Sequence, residues 1–177
     1  LAGTGQAHAV TALTKIAGKG ADKANLLTRF SQLHIARRPT RAQVEVFDAV
    51  IDAARTVGTR LQLSRGSMDL GESDGGLPPD HVVEDLDSIL AHNESLVGRL
   101  AGDTLVDLVV APCSPFSVTP RLMTESADLA RRLGLRLHTH LAETLDEEVD
   151  TLERFGKRPV ALLDEWGWIA DDVWVGH

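Results

Sequence analysis

The sequence predicts an α/β fold built on a parallel sheet, and three observations carry that reading. From Val44 onward, short apolar runs alternate with longer amphipathic stretches. The resulting order is helix then strand, four times over, which favours parallel strands joined by right-handed crossovers. Residues suited to caps and stops, among them Gly58, Thr119-Pro120 and Gly134, fall at the junctions.

Each element has a local reason. Pro39-Thr40 reads as a helix entry, and Val44, Phe47, Val50, Ile51 and Ala54 recur at helical spacing up to Gly58. Thr59 to Leu63 is a short extended segment, with Arg65-Gly66-Ser67 expected on the loop above it. Asp69 to Pro79 holds three glycines and two prolines among acidic residues and reads as a loop. Asp80 is the expected cap of the next helix, whose apolar stripe is Val83, Leu86, Ile89 and Leu90. Asp107 to Val110 is a buried strand ending at Ala111-Pro112-Cys113-Ser114-Pro115. Thr119 and Pro120 fit the N-cap and first turn of a helix that Gly134 stops. Leu135 to His140 is the third strand, followed by an acidic helix over Thr144 to Phe155 and a short one over Val160 to Trp166. Val173 to His177 is the last strand. Leu1 to Gly20 has no firm period and Leu26 to Ile35 no clean cap, so residues 1–40 are set apart from a domain over 41–177.

Composition narrows the function classes. With 18 basic against 26 acidic residues, the net charge is −8 and no basic stripe stands out. A phosphate backbone would meet mostly repulsion, so nucleic acid is not an expected partner. Cys113 is the only cysteine, which rules out an internal disulfide. No run of about 18 apolar residues suggests a membrane span, and a cytoplasmic location is the expectation.

The densest chemical signal is His138-Thr139-His140-Leu141-Ala142-Glu143. A strand places His138 and His140 on one face, with His140 nearer the C-terminal end, where barrel enzymes keep their chemistry. Neutral imidazole can bind a metal, and a carboxylate just beyond can move protons. The same string also fits histidines hydrogen-bonded inside a sheet. His177 ends the next strand and could converge with His140, or it could be an incidental terminal histidine. Arg65 and Ser67 could bind an acidic or carbonyl-bearing substrate or bridge loops, the structural role being favoured for Ser67. Cys113 has no matched base and reads as a structural cysteine rather than a nucleophile. His8, His34, His81 and His92 carry no site assignment, and the last two are expected on or beside a solvated helix. The three tryptophans are read as packing residues. The glycines near Gly71 lack the strand-loop-helix setting of a phosphate cradle.

Four stretches carry a resemblance: Arg65-Gly66-Ser67-Met68, Asp74-Gly75-Gly76-Leu77-Pro78-Pro79-Asp80, Ala111-Pro112-Cys113-Ser114-Pro115-Phe116-Ser117 and His138 to Glu143. Gly167-Trp168, Asp172-Val173-Trp174 and His177 agree with it. From roughly Val44 to His177 the chain resembles the amidohydrolase superfamily, in particular the group of 8-oxoguanine deaminases and hydroxydechloroatrazine and related triazine aminohydrolases. The resemblance implies part of a (β/α)8 TIM barrel, about strands three to six. It also implies one divalent transition metal, zinc or iron, that activates water at the barrel mouth. It makes His140 a metal ligand, Glu143 the proton-transfer acid/base and His177 a residue that orients or deprotonates the water. Arg65 would contact the substrate and Cys113 would shape its pocket. The expected reaction is hydrolytic deamination of a small aminated heterocycle, an oxidised purine, pyrimidine or s-triazine, with release of ammonia or an alkylamine.

Complete members of that group carry a His-x-His pair on the first strand and an Asp after the eighth, and neither is recognisable here. A partial barrel is therefore expected, inactive in isolation and prone to self-association through its open sheet edges. Two alternatives stand beside this reading: another amidohydrolase, such as a chlorohydrolase or cyclic amide hydrolase, and a non-catalytic structural or interaction fragment.

Overall fold

A computed structural model describes residues 41–176, with side chains from residue 47 on. The segments read above within residues 1–40, and His177, lie outside the described residues. The elements are α1 (Arg41–Val57), β1 (Leu61–Ser67), α2 (Leu86–Leu100), β2 (Val106–Pro112), α3 (Pro120–Leu133), β3 (Arg136–His140), α4 (Leu145–Phe155), α5 (Pro159–Glu165) and β4 (Val173–Gly176). Two short 3-10 turns, Glu72–Asp74 and Asp80–Val82, lie between β1 and α2.

The four strands form one sheet in the order β1-β2-β3-β4, and every neighbouring pair is parallel. Sequential parallel order with a helical connection each time is the βα rhythm of a barrel wall. The strand period of two then sorts the side chains. Leu61, Leu63 and Val106 pack on Phe47, Val50, Ile51 and Ala54 of α1. Val110 and Leu137 pack with Ile89, Leu122, Met123, Ala127, Leu162 and Trp168 in a second cluster. These residues mark the helix-facing side, and burying each large one contributes roughly 1.5–3 kcal/mol. The opposite, inner face carries Ser64, Gly66, Val109, Ala111, His138, His140, Trp174 and Gly176.

The expected caps hold at α3. Thr119 accepts a hydrogen bond from Leu122 N, Pro120 opens the helix, and Gly134 closes it at φ 68. A residue with Cβ would be strained in that left-handed conformation. At α2 the expectation is corrected. The cap is Asp85, which accepts from Ser88 N, while Asp80 sits in a 3-10 turn and bonds Ser73 instead. Asp80 lies too far ahead of Leu86 to reach the first helical amides. The tryptophans do pack: Trp168 is buried and donates from Nε1 to Met123 O at 3.1 Å, and Phe155 meets Trp166 edge-on.

Candidate active site at the C-terminal end of the sheet

Because all four strands run the same way, Ser67, Pro112, His140 and Gly176 end at one edge of the sheet. His138 lies one pleat below that edge and is only 1% exposed. Its ring stacks on Trp174, with centroids 3.7 Å apart and planes 20° from parallel. His138 Nδ1 is 3.1 Å from Trp174 O. A carbonyl oxygen only accepts, so Nδ1 carries the proton. Burial pulls the pKa of His138 down to about 4, and nearby His140 adds to that against the opposing Trp174 bond. His138 is thus a neutral ring locked beneath the mouth.

His140 is half-buried at the strand end. Its Nδ1 lies 3.0 Å from Cys113 O, which also accepts from His140 N at 2.9 Å and Thr139 Oγ1 at 3.1 Å. Nδ1 is again the protonated nitrogen, so in the neutral ring Nε2 bears the lone pair. A backbone carbonyl that fixes the tautomer in this way is the usual support of a metal-binding histidine. The ring lies against Gly176, where an added Cβ would fall 3.1 Å from His140 Cδ2 and 3.3 Å from His138 Cε1. The bare backbone of Gly176 makes room for both rings.

Beyond His140 the chain turns a tight corner. Leu141 N donates to Gly176 O at 3.3 Å, and Ala142 adopts φ 57. Ala142 N and Glu143 N donate to the two carboxylate oxygens of Glu147, at 3.1 and 2.7 Å. Thr144 then caps α4 by accepting from Glu147 N. This corner holds Glu143 at the mouth with an exposed side chain, three residues after His140. Its charge is felt at Cys113, whose thiol is pushed up chiefly by burial, against hydrogen bonds from Ser117 and Ser114. A thiol held protonated is a poor nucleophile, consistent with a structural cysteine. What Cys113 presents to His140 is its carbonyl oxygen.

Arg65 is corrected. It lies within β1, not on a loop above it, and it is fully buried. It shares the helix-facing side with Leu61 and Leu63, away from the inner face. Its guanidinium forms a two-pronged pair with Glu84, Nη1 to Oε1 at 2.9 Å and Nη2 to Oε2 at 2.6 Å. Nη1 also reaches Gly66 O, and Nε donates to His92 Nδ1 at 3.3 Å. A substrate could engage this group only by breaking a buried ion pair. Ser67 is also buried at 1%. His92 therefore does not simply lie on a solvated helix: its ring accepts from Arg65.

Sequence reasoning missed Glu84, Glu147 and Asp69. Asp69 binds Thr119 N at 2.6 Å and Thr119 Oγ1 at 2.5 Å, tying the β1 loop to the start of α3. Its partner is 50 residues away and leaves no local pattern. Glu147 did have one: Thr144-x-x-Glu147 is the capping-box spacing. Among the described residues no group of three or more His, Cys, Asp or Glu could hold a metal. His140 fits one ligand position, and these residues do not complete a site. A cleft between α1 and α2, lined by Asp48, Asp52, Arg55 and Arg99, lies in the helix layer rather than at the mouth.

The sequence profile of the Amidohydrolase family matches residues 28–174. The chain belongs to the amidohydrolase family. An 8-oxoguanine deaminase of Pseudomonas aeruginosa is 49% identical over 136 residues, 75% of this chain and 30% of that protein. A hydroxydechloroatrazine ethylaminohydrolase of Pseudomonas sp. is 38% identical over 133 residues, 73% of this chain and 27% of that protein. The crystal structure of atrazine chlorohydrolase TrzN from Arthrobacter aurescens, complexed with zinc, superposes with TM-score 0.74 at 30% identity. That match covers 82% of this chain and 32% of the chlorohydrolase. The chain therefore spans about a third or less of the amidohydrolases it matches. Its four parallel strands form part of the family's (β/α)8 barrel. No described helix is long and apolar enough to cross a membrane.

Proposed function

We propose that the protein to which this chain belongs hydrolyses an aminated heterocycle, an oxidised purine, pyrimidine or s-triazine, releasing ammonia or an alkylamine. One observation carries the reading: His140, its Nδ1 held by Cys113 O, stands at the same mouth as Glu143 on its clamped corner. Deaminases of 8-oxoguanine and isoxanthopterin among the relatives support the substrate class.

The ring of His140 would hold a divalent metal, zinc or iron, through Nε2, with further ligands outside the described residues. When bound, that metal makes water easier to ionise near neutral pH. Glu143 takes a proton from the attacking water and passes it to a ring nitrogen of the heterocycle. The new C–O bond forms at the carbon bearing the exocyclic amine; Glu143 then carries the second proton, from the new hydroxyl, to the departing nitrogen as the C–N bond breaks and the carbonyl forms. His177 follows Gly176, and the strand ending there pairs with β3 at His140 and Gly176. We propose that it orients the water. Cys113 contributes to the pocket wall, and the committed guanidinium of Arg65 is left out of the site.

A chlorohydrolase is the second reading, favoured by the likeness to TrzN. The test is metal analysis of the full native protein beside a product screen for ammonia, alkylamine and chloride. Stoichiometric metal and amine release, lost in Glu143→Gln by roughly 10²–10⁴-fold, is the expected result. Full activity of Glu143→Gln would overturn the acid/base role, and chloride release without amine would transfer the protein to the second reading.

A further inference from the structure

We propose that Glu147 is a positioning residue for Glu143: its carboxylate holds the corner between β3 and α4 in the one conformation that presents Glu143 at the mouth. The inference rests on the acid/base reading of Glu143 and adds to it a named residue and a mechanism.

Three features of the corner converge. First, Glu147 is 1% exposed, and its two oxygens take the amides of Ala142 and Glu143, one each. A carboxylate is costly to bury, and two backbone donors offset much of that cost. Secondly, Ala142 sits at φ 57 and is the single non-glycine residue with positive φ among the described residues. That conformation is strained for an alanine, so something must hold it. Two consecutive amides converging on one anion are the concave arrangement that such a backbone makes, and Glu147 fills it. Thirdly, Glu147 departs from the usual capping box. Thr144 Oγ1 accepts from Glu147 N, as in a box, but the carboxylate passes the Thr144 amide and reaches the two residues before it. The cap alone needs no such reach, and the residue gripped at 2.7 Å is Glu143 itself.

The corner is also braced from the strand side, since Leu141 N bonds Gly176 O and His140 is tied to Cys113 O. His140 and Glu143 are thus fixed independently, one by a carbonyl and the other by a carboxylate. Loss of the second clamp should move Glu143 while leaving His140 in place. Misplacing a reacting group by about 1 Å costs on the order of 10²-fold.

The test uses the full native protein with Glu147→Gln, whose amide can accept one of the two bonds but not both. The expected result is a fall in kcat of about 10- to 100-fold, KM within about two-fold, and unchanged metal content. Amide exchange at residues 142 and 143 should accelerate while β3 keeps its protection. Adding Ala142→Gly, which reaches positive φ without strain, should recover part of the lost kcat. Thr144→Ala removes the helix cap but leaves both clamp bonds, and should keep most of the turnover. Unchanged kcat and unchanged exchange in Glu147→Gln would overturn the clamp. So would a Glu147→Gln protein that fails to fold with or without Ala142→Gly, because the carboxylate would then serve folding as a whole rather than the placement of Glu143. Folding restored by Ala142→Gly supports it. Failure of the underlying reading looks different: Glu143→Gln would stay active while the exchange at 142 and 143 still depended on Glu147.

Discussion

His92 and His140 lie on opposite sides of the same sheet, and what each Nδ1 faces decides the use of the ring. His92 faces the guanidinium of Arg65, which only donates, so His92 Nδ1 must bear a lone pair. His140 faces a carbonyl, which only accepts, so its lone pair lies on Nε2. Around His92 the polar groups are closed on one another: Arg65 and Glu84 are 0% and 1% exposed and satisfy each other. Around His140 the groups hold the ring from behind and leave Glu143 exposed at the mouth. Buried polarity that closes on itself supports the fold, whereas half-buried polarity that is fixed on one side is equipped for chemistry.

The sharpest way to break this contrast is to remove one charged group from each region. In the full native protein, Glu143→Gln should abolish turnover by the factor given above and leave chemical denaturation almost unchanged. Arg65→Ala should do the reverse. It strands Glu84 in the interior and should cost about 3–5 kcal/mol of stability, read from urea unfolding. The pair Arg65→Met with Glu84→Leu should recover most of that loss, since matched apolar residues avoid the desolvation of two charges. A collapse of activity in the folded double variant would move Arg65 back toward the substrate.

A smaller effect is the pH dependence that His92 gives to stability. Burial, Arg65 on β1 and Arg99 on the same helix pull the pKa of His92 down to about 4, while Phe47 of α1 meets the ring edge-on. Well above pH 6.5 the ring is neutral in both folded and unfolded chains and adds no pH dependence. As pH falls from 6.5 to 4, the unfolded chain takes the proton first, so stability declines through that window by at most about 3 kcal/mol. Glu84, raised by burial against the opposing pull of Arg65, titrates with the opposite sign. The measurement is therefore a difference between wild type and His92→Gln, which keeps an acceptor for Arg65. A difference in stability that does not change between pH 6.5 and pH 4 would mean that His92 is already protonated or exposed.

The smallest change is expected at Cys113. Its carbonyl holds His140, and any residue supplies a carbonyl, so Cys113→Ala should keep metal binding and shift stability by about 1 kcal/mol or less. Metal content and unfolding midpoints check this, and loss of metal would assign the thiol a direct role.

Much of the framework was legible because it is local or periodic. The βα rhythm, the Thr119-Pro120 entry, the Gly134 stop and the His138-to-Glu143 string depend on neighbours in sequence, and apart from the later start of α2 and the later end of β1 the structure places the elements close to their expected bounds. The face of β3 that carries both histidines follows from the strand period alone. Less legible were the contacts that chain folding creates between distant segments. Arg65 stands 19 residues from Glu84, and Asp69 stands 50 from Thr119. No pattern of spacing announces such pairs. An isolated Arg on a strand reads equally as a substrate contact or a buried ion, and only packing against α2 decides between them.

The sequence by itself determined the fold class, the direction of the strands and the end of the sheet at which the chemistry would gather. Backbone periodicity and capping act over a few residues, and their physics is the same in any setting. Tertiary structure alone decided that Arg65 turns to the helices, that Cys113 acts through its carbonyl and that Glu147 grips the backbone of Glu143. Those outcomes depend on which buried charge meets which partner once water is excluded, and that is settled only when the strands and helices have closed around them.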